Sequence, residues 1–342
     1  MNRRTWTLLT SVVLVVAFGL LGAFVRVPYV ALGPGPTYDT LGLDGETPVI
    51  SIEGQQTFPT GGHLNMTTVS VTDQLSMFGA LGLWVSGRYA LAPRDLYFPP
   101  DKTEQQIEQE NAEAFNDSQT TAETAALRYL GYPMKVLVGQ VVKGSPADGV
   151  LAPGDRLLEA NGRPVTDPQS LRTALSDTKP GDRVQIRFQH GDEPERVADV
   201  QLAPGPGDQQ TQGFLGVAAV ERPDVDFDIK ISLADVGGPS AGLMFTLAII
   251  DKLTPGELNG GQFVAGTGEI TPDGKVGPIG GIPFKMVKAR EAGATTFLVP
   301  ADNCAEAKAQ APEGLQLARV ATLQDATSAL DALREGRAPA GC

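Results

Sequence analysis

Histidine and cysteine are scarce in this chain of 342 residues, which contains two of each. Neither His63 nor His190 has another histidine or a cysteine near it in the sequence, so a histidine-rich metal site is not expected. We expect no metal and no cofactor. A nucleophilic side chain in this protein would therefore need a base other than histidine. Two alternatives stay open for Cys304 and Cys342: a disulfide that ties the C-terminal tail to the body, or a pair of free thiols.

Basic residues are fewer than acidic ones: the chain has 27 lysines and arginines and 40 acidic residues, so its net charge is −13. The chain contains no basic run, so its composition argues against nucleic acid as a partner. The phosphate-binding pattern G-x-x-x-x-G-K-[ST] is also missing. The nearest stretch, PDGKVG at residues 272–277, lacks both the upstream glycine and the hydroxyl residue. We therefore expect no ATPase module of this type.

Long apolar runs are rare, and a single one has the length of a membrane span. It covers residues 6–25 without a charge, and at 1.5 Å per residue it matches a hydrocarbon core of roughly 30 Å. Arg3 and Arg4 precede it and only Arg26 follows, which favours a cytoplasmic N-terminus and an extracytoplasmic remainder. The run is longer than the apolar core of a signal peptide, about 7–15 residues. We expect an uncleaved anchor, with a cleaved signal sequence as the alternative.

A single serine stands at the start of the apolar stretch DVGGPSAGLMFTLAIIDKL, residues 235–253. Gly237 and Gly238 allow a sharp turn, and Pro239 suits the first turn of a helix. Ser240 is then expected at a helix N-terminus, among unpaired backbone N–H groups and the positive end of the helix dipole. Such a serine either caps the helix or uses this environment for chemistry.

One lysine has the surroundings that a catalytic base needs. Lys285 is expected in the first turn of a helix that the stretch PIGGIP, residues 278–283, introduces, and its neighbours are apolar. The helix dipole and desolvation both lower the pKa of a lysine placed there. The alternatives are that Lys285 is an ordinary surface residue, or that Lys288, one turn later, is the base. Lys275 follows a turn and is expected to be solvated.

The middle of the chain resembles a PDZ domain of the bacterial protease-associated type over residues 135–202. The resemblance rests on the ordered stretches GSPADG, LAPGD and LLEANGRPV, followed by a predicted helix at 167–177. PDZ domains bind an extended C-terminal peptide, whose carboxylate is held by backbone N–H groups. The resemblance places that loop near Leu130, Gly131 and Tyr132, although this stretch departs from the usual Gly-hydrophobic-Gly-hydrophobic pattern. A purely structural PDZ fold is the alternative.

The C-terminal part resembles the proteolytic domain of Lon-type serine–lysine peptidases over at least residues 228–300. The motifs GGPSAG, TGEIT and PIGG occur in the family's order. The resemblance implies that Ser240 is the nucleophile, that Lys285 is the general base, and that Thr267 hydrogen-bonds the lysine. It also implies that Gly238 and Ala241 lie where backbone groups support an oxyanion.

Two departures from the family's pattern concern the neighbours of the serine. Gly237 stands where many family members carry an acid, for which Asp235 is a possible substitute, and Leu243 to Phe245 are bulkier than usual. The whole plan resembles the membrane-anchored, PDZ-containing Lon-like proteases of bacteria. It implies an ATP-independent endopeptidase that acts on extracytoplasmic polypeptides, and relatives with this domain often form rings. The alternative is a catalytically silent peptide-binding scaffold; a signal peptidase is disfavoured because its serine follows soon after the membrane segment.

The expected fold class is an α/β (α+β) Lon-type proteolytic domain plus a small β-rich PDZ domain, with one N-terminal transmembrane helix. We expect the PDZ domain to be inserted into the proteolytic domain, because a helix and strands of that domain are predicted on both sides of it. The expected bounds are 1–28 for the anchor, 29–134 for a leader and the first part of the proteolytic domain, 135–202 for the PDZ domain, 203–213 for a linker, 214–334 for the catalytic part and 335–342 for a tail.

Overall fold

The computed structural model describes residues 3–206, 211–233 and 236–342. The chain divides into two compact units. The first is formed by Met1–Ala125 together with Phe227–Cys342, and the second by Ala126–Asp226.

The described residues form eight α-helices and two short 3₁₀ helices. The α-helices are α1 (Arg3–Phe24), α2 (Met77–Val85), α3 (Glu104–Tyr129), α4 (Pro168–Leu175), α5 (Gly242–Leu253), α6 (Ile282–Ala292), α7 (Cys304–Ala309) and α8 (Leu323–Arg334). The 3₁₀ helices are Arg94–Leu96 and Ala301–Asn303.

The strands of the described residues follow the same order along the chain. Those before the second unit are β1 (Tyr29–Asp39), β2 (Leu43–Asp44), β3 (Thr47–Pro48), β4 (Ile50–Glu53), β5 (His63–Thr72) and β6 (Ala90–Pro93). Those of the second unit are β7 (Met134–Val141), β8 (Arg156–Ala160), β9 (Arg163–Pro164), β10 (Arg183–Gln189), β11 (Arg196–Gln201), β12 (Ala203–Pro204), β13 (Gly213–Phe214) and β14 (Val217–Pro223). Those after it are β15 (Asp228–Ile231), β16 (Phe263–Gly266), β17 (Glu269–Ile270), β18 (Val276–Gly277), β19 (Thr296–Pro300) and β20 (Gln316–Val320).

The first unit is built on a six-stranded mixed sheet in the order β20-β19-β16-β5-β1-β6. Strands β5, β16, β19 and β20 run parallel, whereas β1 is antiparallel to β5 and to β6. Three strands from after the second unit and three from before it therefore form one sheet, joined where β16 pairs with β5. Helix α5 is apolar from Gly242 to Ile250 except at Thr246 and is buried along almost its whole length, as expected for a helix enclosed in a core.

The second unit contains an antiparallel sheet in the order β11-β10-β8-β7-β14 with α4 beside it. It extends beyond the expected bounds of 135–202, because Val217–Pro223 pairs with Met134–Val141 in the same sheet. The stretch 214–226, expected in the catalytic part, thus belongs to this unit, and the expected linker 203–213 contributes β12 and β13 to it. The unit's two ends meet, since the Asp224 N–H donates to the Pro133 carbonyl at 2.8 Å.

The C-terminal tail is attached to the first unit in two ways. Cys304 and Cys342 form a disulfide, which decides between the two alternatives left by the sequence. The backbone N–H of Arg319, on β20, donates to the Ala340 carbonyl at 2.9 Å. The tail is therefore part of the folded unit and not a free end.

Helix α1 is the helix within the described residues that has the length and composition of a membrane span. A signal sequence near an N-terminus has the same properties. Of the residues in this helix, Gly22 is buried and the apolar side chains are largely exposed.

Candidate active site

Ser240 lies on a loop directly before α5, which we call the serine loop (residues 236–241). The helix begins at Gly242 with Ala241 as its N-cap, so Pro239 lies outside the helix and not in its first turn as expected. The simple capping alternative for Ser240 does not hold, because the cap position is Ala241 and no side chain caps this helix. The Ser240 hydroxyl is thus available for another partner.

Lys285 provides that partner from the first turn of α6, where the sequence predicts it. Gly281 precedes the helix with a φ of 69°, and an added Cβ would approach the Val69 side chain to 2.7 Å. A glycine is therefore required at the turn that aims the start of α6 at β5. Only 2% of Lys285 is exposed.

The three predicted residues meet in one hydrogen-bonded group. The Lys285 Nζ is 2.8 Å from the Ser240 Oγ and 2.9 Å from the Thr267 Oγ1. The Thr267 hydroxyl in turn donates to the Ser240 carbonyl oxygen at 2.9 Å. Thr267 is fully buried at the end of β16, so it fixes both the lysine amine and the backbone of the serine.

Burial favours the neutral form of the Lys285 amine, which is the form that can accept a proton, over the charged form. Removal of the amine from water lowers its pKa from 10.5 to about 8, and the negative charge of Glu269 opposes this shift only in part. Lys288, the alternative named from the sequence, is half-exposed, and its amine lies 3.7 Å from the Glu291 carboxylate. Lys275 is exposed and forms an ion pair with Asp273 at 3.0 Å.

Helix α3 holds the serine loop from the other direction, through residues that the sequence analysis missed. The Ser118 hydroxyl donates to the Pro239 carbonyl at 3.1 Å, and the Gly238 N–H donates to the Asn111 carbonyl at 3.0 Å. Phe115 meets Phe245 edge to face, with ring centroids 5.8 Å apart. Of the three bulky residues after the serine motif, Phe245 therefore packs between α5 and α3, whereas Met244 and Leu243 lie beside Gly266 and Gly268 at the end of β16.

The backbone groups around Ser240 differ in their availability to an oxyanion. The predicted donor Gly238 already donates its N–H to Asn111, so in this structure it is not available. The N–H groups of Ser240 and Ala241 have no acceptor within the part of the chain that the structure describes. Asp235, which the sequence offers in place of the acid that many family members carry at the position of Gly237, lies outside the described residues.

A cleft of about 400 Å³ opens at the Ser240–Lys285 pair. Its lining combines the serine loop and Gly280 with residues of β1 and β5: Pro36, Tyr38, Met66, Thr68, Val69 and Ser70. Strand β6 pairs with β1 over Tyr29–Leu32 only, so residues 33–37 have no strand neighbour on that edge among the described residues. An extended polypeptide can pair with such an edge.

The PDZ residues predicted to bind a carboxylate do not form such a loop. Leu130, Gly131 and Tyr132 end helix α3, and their N–H groups donate to the carbonyls of Ala126, Arg128 and Leu127, respectively. Gly131 has a φ of 80°, as is usual for the residue that ends a helix. In this structure the helix C-terminus therefore uses the N–H groups that a carboxylate would need.

The structure instead places a groove of about 290 Å³ between α4 and the stretch before β14. It is lined by Leu171, Arg172 and Leu175 of the helix and by residues 212–217. These residues read QGFLGV, in which Leu215, Gly216 and Val217 match the last three positions of the pattern sought near residues 130–132, and Phe214 replaces its first glycine. This partial signal begins where the expected linker ends, in a stretch that the sequence analysis assigned to the catalytic part.

A buried hydroxyl–amine pair beside an open cleft is one arrangement that serine peptidases use for acyl transfer. More specifically, the model of the Lon protease (S16) C-terminal proteolytic domain matches residues 224–330, and the model of the PDZ domain matches residues 105–202. The chain therefore carries a Lon-type proteolytic domain together with a PDZ domain, and the resemblance drawn from the sequence is confirmed for both.

The curated relatives of this chain include Lon proteases, in agreement with the match to the Lon proteolytic domain. Lon protease 2 of Herpetosiphon aurantiacus is 33% identical over 137 residues, which are 40% of this chain and 16% of that protein. Lon protease 1 of Sorangium cellulosum is 35% identical over 128 residues, which are 36% of this chain and 16% of that protein. The chain thus spans about a sixth of the length of these relatives. Among solved structures, the PDZ domain of an SdrC-like protein from Listeria monocytogenes is 32% identical, covering 25% of this chain and 86% of that one, with a TM-score of 0.23.

Proposed function

We propose that the protein is a membrane-anchored, ATP-independent serine endopeptidase that cleaves extracytoplasmic polypeptides with Ser240 as nucleophile and Lys285 as general base. The observation that carries the proposal is the 2.8 Å contact between the Lys285 amine and the Ser240 hydroxyl in a buried site beside an open cleft. The missing phosphate-binding loop supports independence from ATP.

The geometry supports a two-step acyl transfer. Neutral Lys285 accepts the proton of the Ser240 hydroxyl while the Oγ attacks the scissile carbonyl carbon, and the N–H groups of Ser240 and Ala241 are the candidates to stabilise the oxyanion. The protonated amine then returns the proton to the leaving amine, and a water attacks the acyl-serine with Lys285 again as base. Thr267 orients the amine by hydrogen-bonding its Nζ.

The direct test uses the full chain in detergent and an unfolded polypeptide, without nucleotide. We expect cleavage that added ATP and Mg²⁺ do not change, together with covalent labelling of Ser240 by a serine-reactive phosphonate. A chain that binds polypeptides but shows neither cleavage nor labelling would be the silent scaffold. Cleavage that appears only with ATP would contradict the proposed independence.

The proposed location rests on α1 and on the disulfide. An uncleaved α1 with Arg3 and Arg4 at its start favours a cytoplasmic N-terminus. The Cys304–Cys342 disulfide fits an oxidising compartment, where such bonds form and persist.

We expect the mature protein to keep its N-terminus and to resist extraction from membranes by alkaline carbonate. In intact spheroplasts, an added protease should degrade the body while sparing the first residues. Recovery of a soluble form that starts near Pro28 would instead show that α1 is a cleaved signal.

We also propose that the second unit is a PDZ substrate reader inserted into the proteolytic domain. Its ends lie together at Pro133 and Asp224, and sheet strands of the first unit occur on both sides of it in the chain. Insertions of this kind are tolerated where chain ends are close. The groove lined by Leu171, Leu175 and residues 212–217 would hold a C-terminal peptide and raise its local concentration at the cleft.

Replacing residues 134–223 by a Gly/Ser bridge of about four residues, a common loop length, tests both points. We expect a folded enzyme that cuts short peptides at the wild-type rate. The wild type should cleave a long substrate with a free C-terminus about 10-fold or more faster than its amidated form, and the deletion should abolish that preference. Loss of folding would contradict the insertion, and a retained preference would contradict the reader.

A further inference from the structure

Helix α2 is an apolar helix that the proteolytic site does not use. Its nine residues, MFGALGLWV, contain no polar side chain, and the stretch from Gln74 to Gly87 contains no charge. Ala80 is buried and Leu83 half-buried against Ala31 and Leu75. The opposite face is exposed and consists of Met77, Phe78, Leu81, Trp84 and Val85. We call these five residues the α2 face.

The α2 helix is attached to the end of α1. The Val27 N–H donates to the Leu75 carbonyl at 2.9 Å, and the Met77 N–H donates to the Val25 carbonyl at 3.3 Å. The Phe78 ring packs directly against Gly22, so that an added Cβ on this glycine would overlap the ring. These contacts fix the position of α2 along the axis of α1.

The Phe78 ring therefore contacts α1 within the apolar run of residues 6–25 and not beyond its end. Gly22 precedes Val25 by three residues, which is about 4.5 Å along a helix axis. If residues 6–25 cross the hydrocarbon layer, the Phe78 ring must lie at the depth of its outer boundary. A tryptophan on the same face suits this boundary, because tryptophan is enriched where lipid meets water.

We infer that the α2 face embeds in the outer surface of the lipid bilayer beside α1, as a second, interfacial membrane contact. This inference rests on the proposed anchoring by α1. Interfacial helices lie in the membrane plane with one face among the acyl chains, and here the protein core covers the other face. The nearest flanking charges are paired within the protein, Asp73 with Arg94 and Arg88 with Glu291, so they do not oppose this placement.

The contact would set the position of the active cleft. Helix α2 packs on β1, and β1 lines the cleft at Pro36. Tyr29 and Pro36 are seven residues apart, which limits their separation to about 23 Å in an extended strand. A cleft held at this height would act on polypeptide segments close to the membrane surface.

Trp84 itself provides the measurement, because Trp6 is the other tryptophan of the chain. The full-length Trp6→Phe variant is reconstituted into phosphatidylcholine/phosphatidylglycerol vesicles, with or without lipids brominated on the acyl chains. We expect brominated lipids to remove most of the Trp84 emission and aqueous iodide to leave it largely unchanged. The control Trp6→Phe/Trp84→Phe/Leu43→Trp carries its tryptophan on exposed β2, beyond the far end of β1, and should respond to iodide alone.

Carbonate extraction of the same vesicles separates the two proposals. A chain that stays in the membrane while iodide quenches Trp84 as it quenches the control would overturn the α2 contact and leave the anchor intact. Shielding from both quenchers would also overturn it, and would indicate that a second copy covers the α2 face. Release of the chain by carbonate would refute the anchor and the contact together.

Discussion

Replacing Ser240 by alanine is expected to reduce peptide hydrolysis by about 10⁴-fold or more, because the variant lacks the atom that forms the acyl-enzyme. The hydroxyl contributes one hydrogen bond, to Lys285, and does not cap α5. The backbone contacts of the serine, from Gly268 and Thr267 to its carbonyl oxygen, do not involve the side chain. We therefore expect a folded variant with a near-unchanged melting temperature.

The control for this variant is Ser328→Ala, which removes an exposed hydroxyl from α8 and should leave the rate unchanged. Both variants are compared with the wild type by initial rates on a fluorogenic peptide and by thermal unfolding. Substantial hydrolysis by the Ser240→Ala variant at wild-type stability would show that the nucleophile is another residue.

The sequence predicted the parts of the site that depend on local chemistry. The apolar stretch after Ser240 predicts a buried helix, and α5 is one. The PIGGIP turn predicts the start of α6, which carries Lys285 at the expected place. In each case a glycine, a proline or a run of apolar side chains determines the local conformation.

The contacts across the site could not be predicted in this way. Asn111 and Ser118 lie more than a hundred residues before the serine loop, and no local pattern distinguishes them from the other polar residues of α3. Engagement of the Gly238 N–H by Asn111 likewise depends on how α3 packs on α5. Such long-range contacts are properties of the tertiary fold.

The boundary of the PDZ unit could not be predicted from the local sequence either, because it depends on which strands pair. Its last strand, β14, lies beyond a Pro/Gly-rich stretch that has the composition of a linker. Composition alone therefore ends the domain at 202, although the strand that completes the sheet and the groove follows. Because strand pairing connects residues about eighty positions apart, the register decides the boundary and the local sequence does not.

Replacing Lys285 by arginine is expected to abolish hydrolysis as fully as Lys285→Met does. A guanidinium stays protonated at any usable pH, so it cannot accept the proton of the Ser240 hydroxyl. The matched control is Lys288→Arg, which keeps a positive charge near Glu291 and should retain the wild-type rate. Activity in Lys285→Arg, or its loss in Lys288→Arg, would move the base away from Lys285.

The pH dependence of the wild-type rate tests whether Lys285 must be neutral for hydrolysis. With the pKa of Lys285 lowered to about 8, about one amine in ten is neutral at pH 7, so kcat/KM should rise nearly tenfold per pH unit below 8 and level off above it. Burial of the protonated amine also lowers the free energy of unfolding. This loss of stability is recovered as the pH rises from about 8, the pKa of Lys285 in the folded protein, towards 10.5, its ordinary pKa. Lys285→Met should therefore be inactive and yet more stable than the wild type at pH 7, by about 3 kcal/mol at most, with the difference shrinking above pH 8. A flat profile between pH 6 and 9, about the window that the shift defines, would contradict a lysine base.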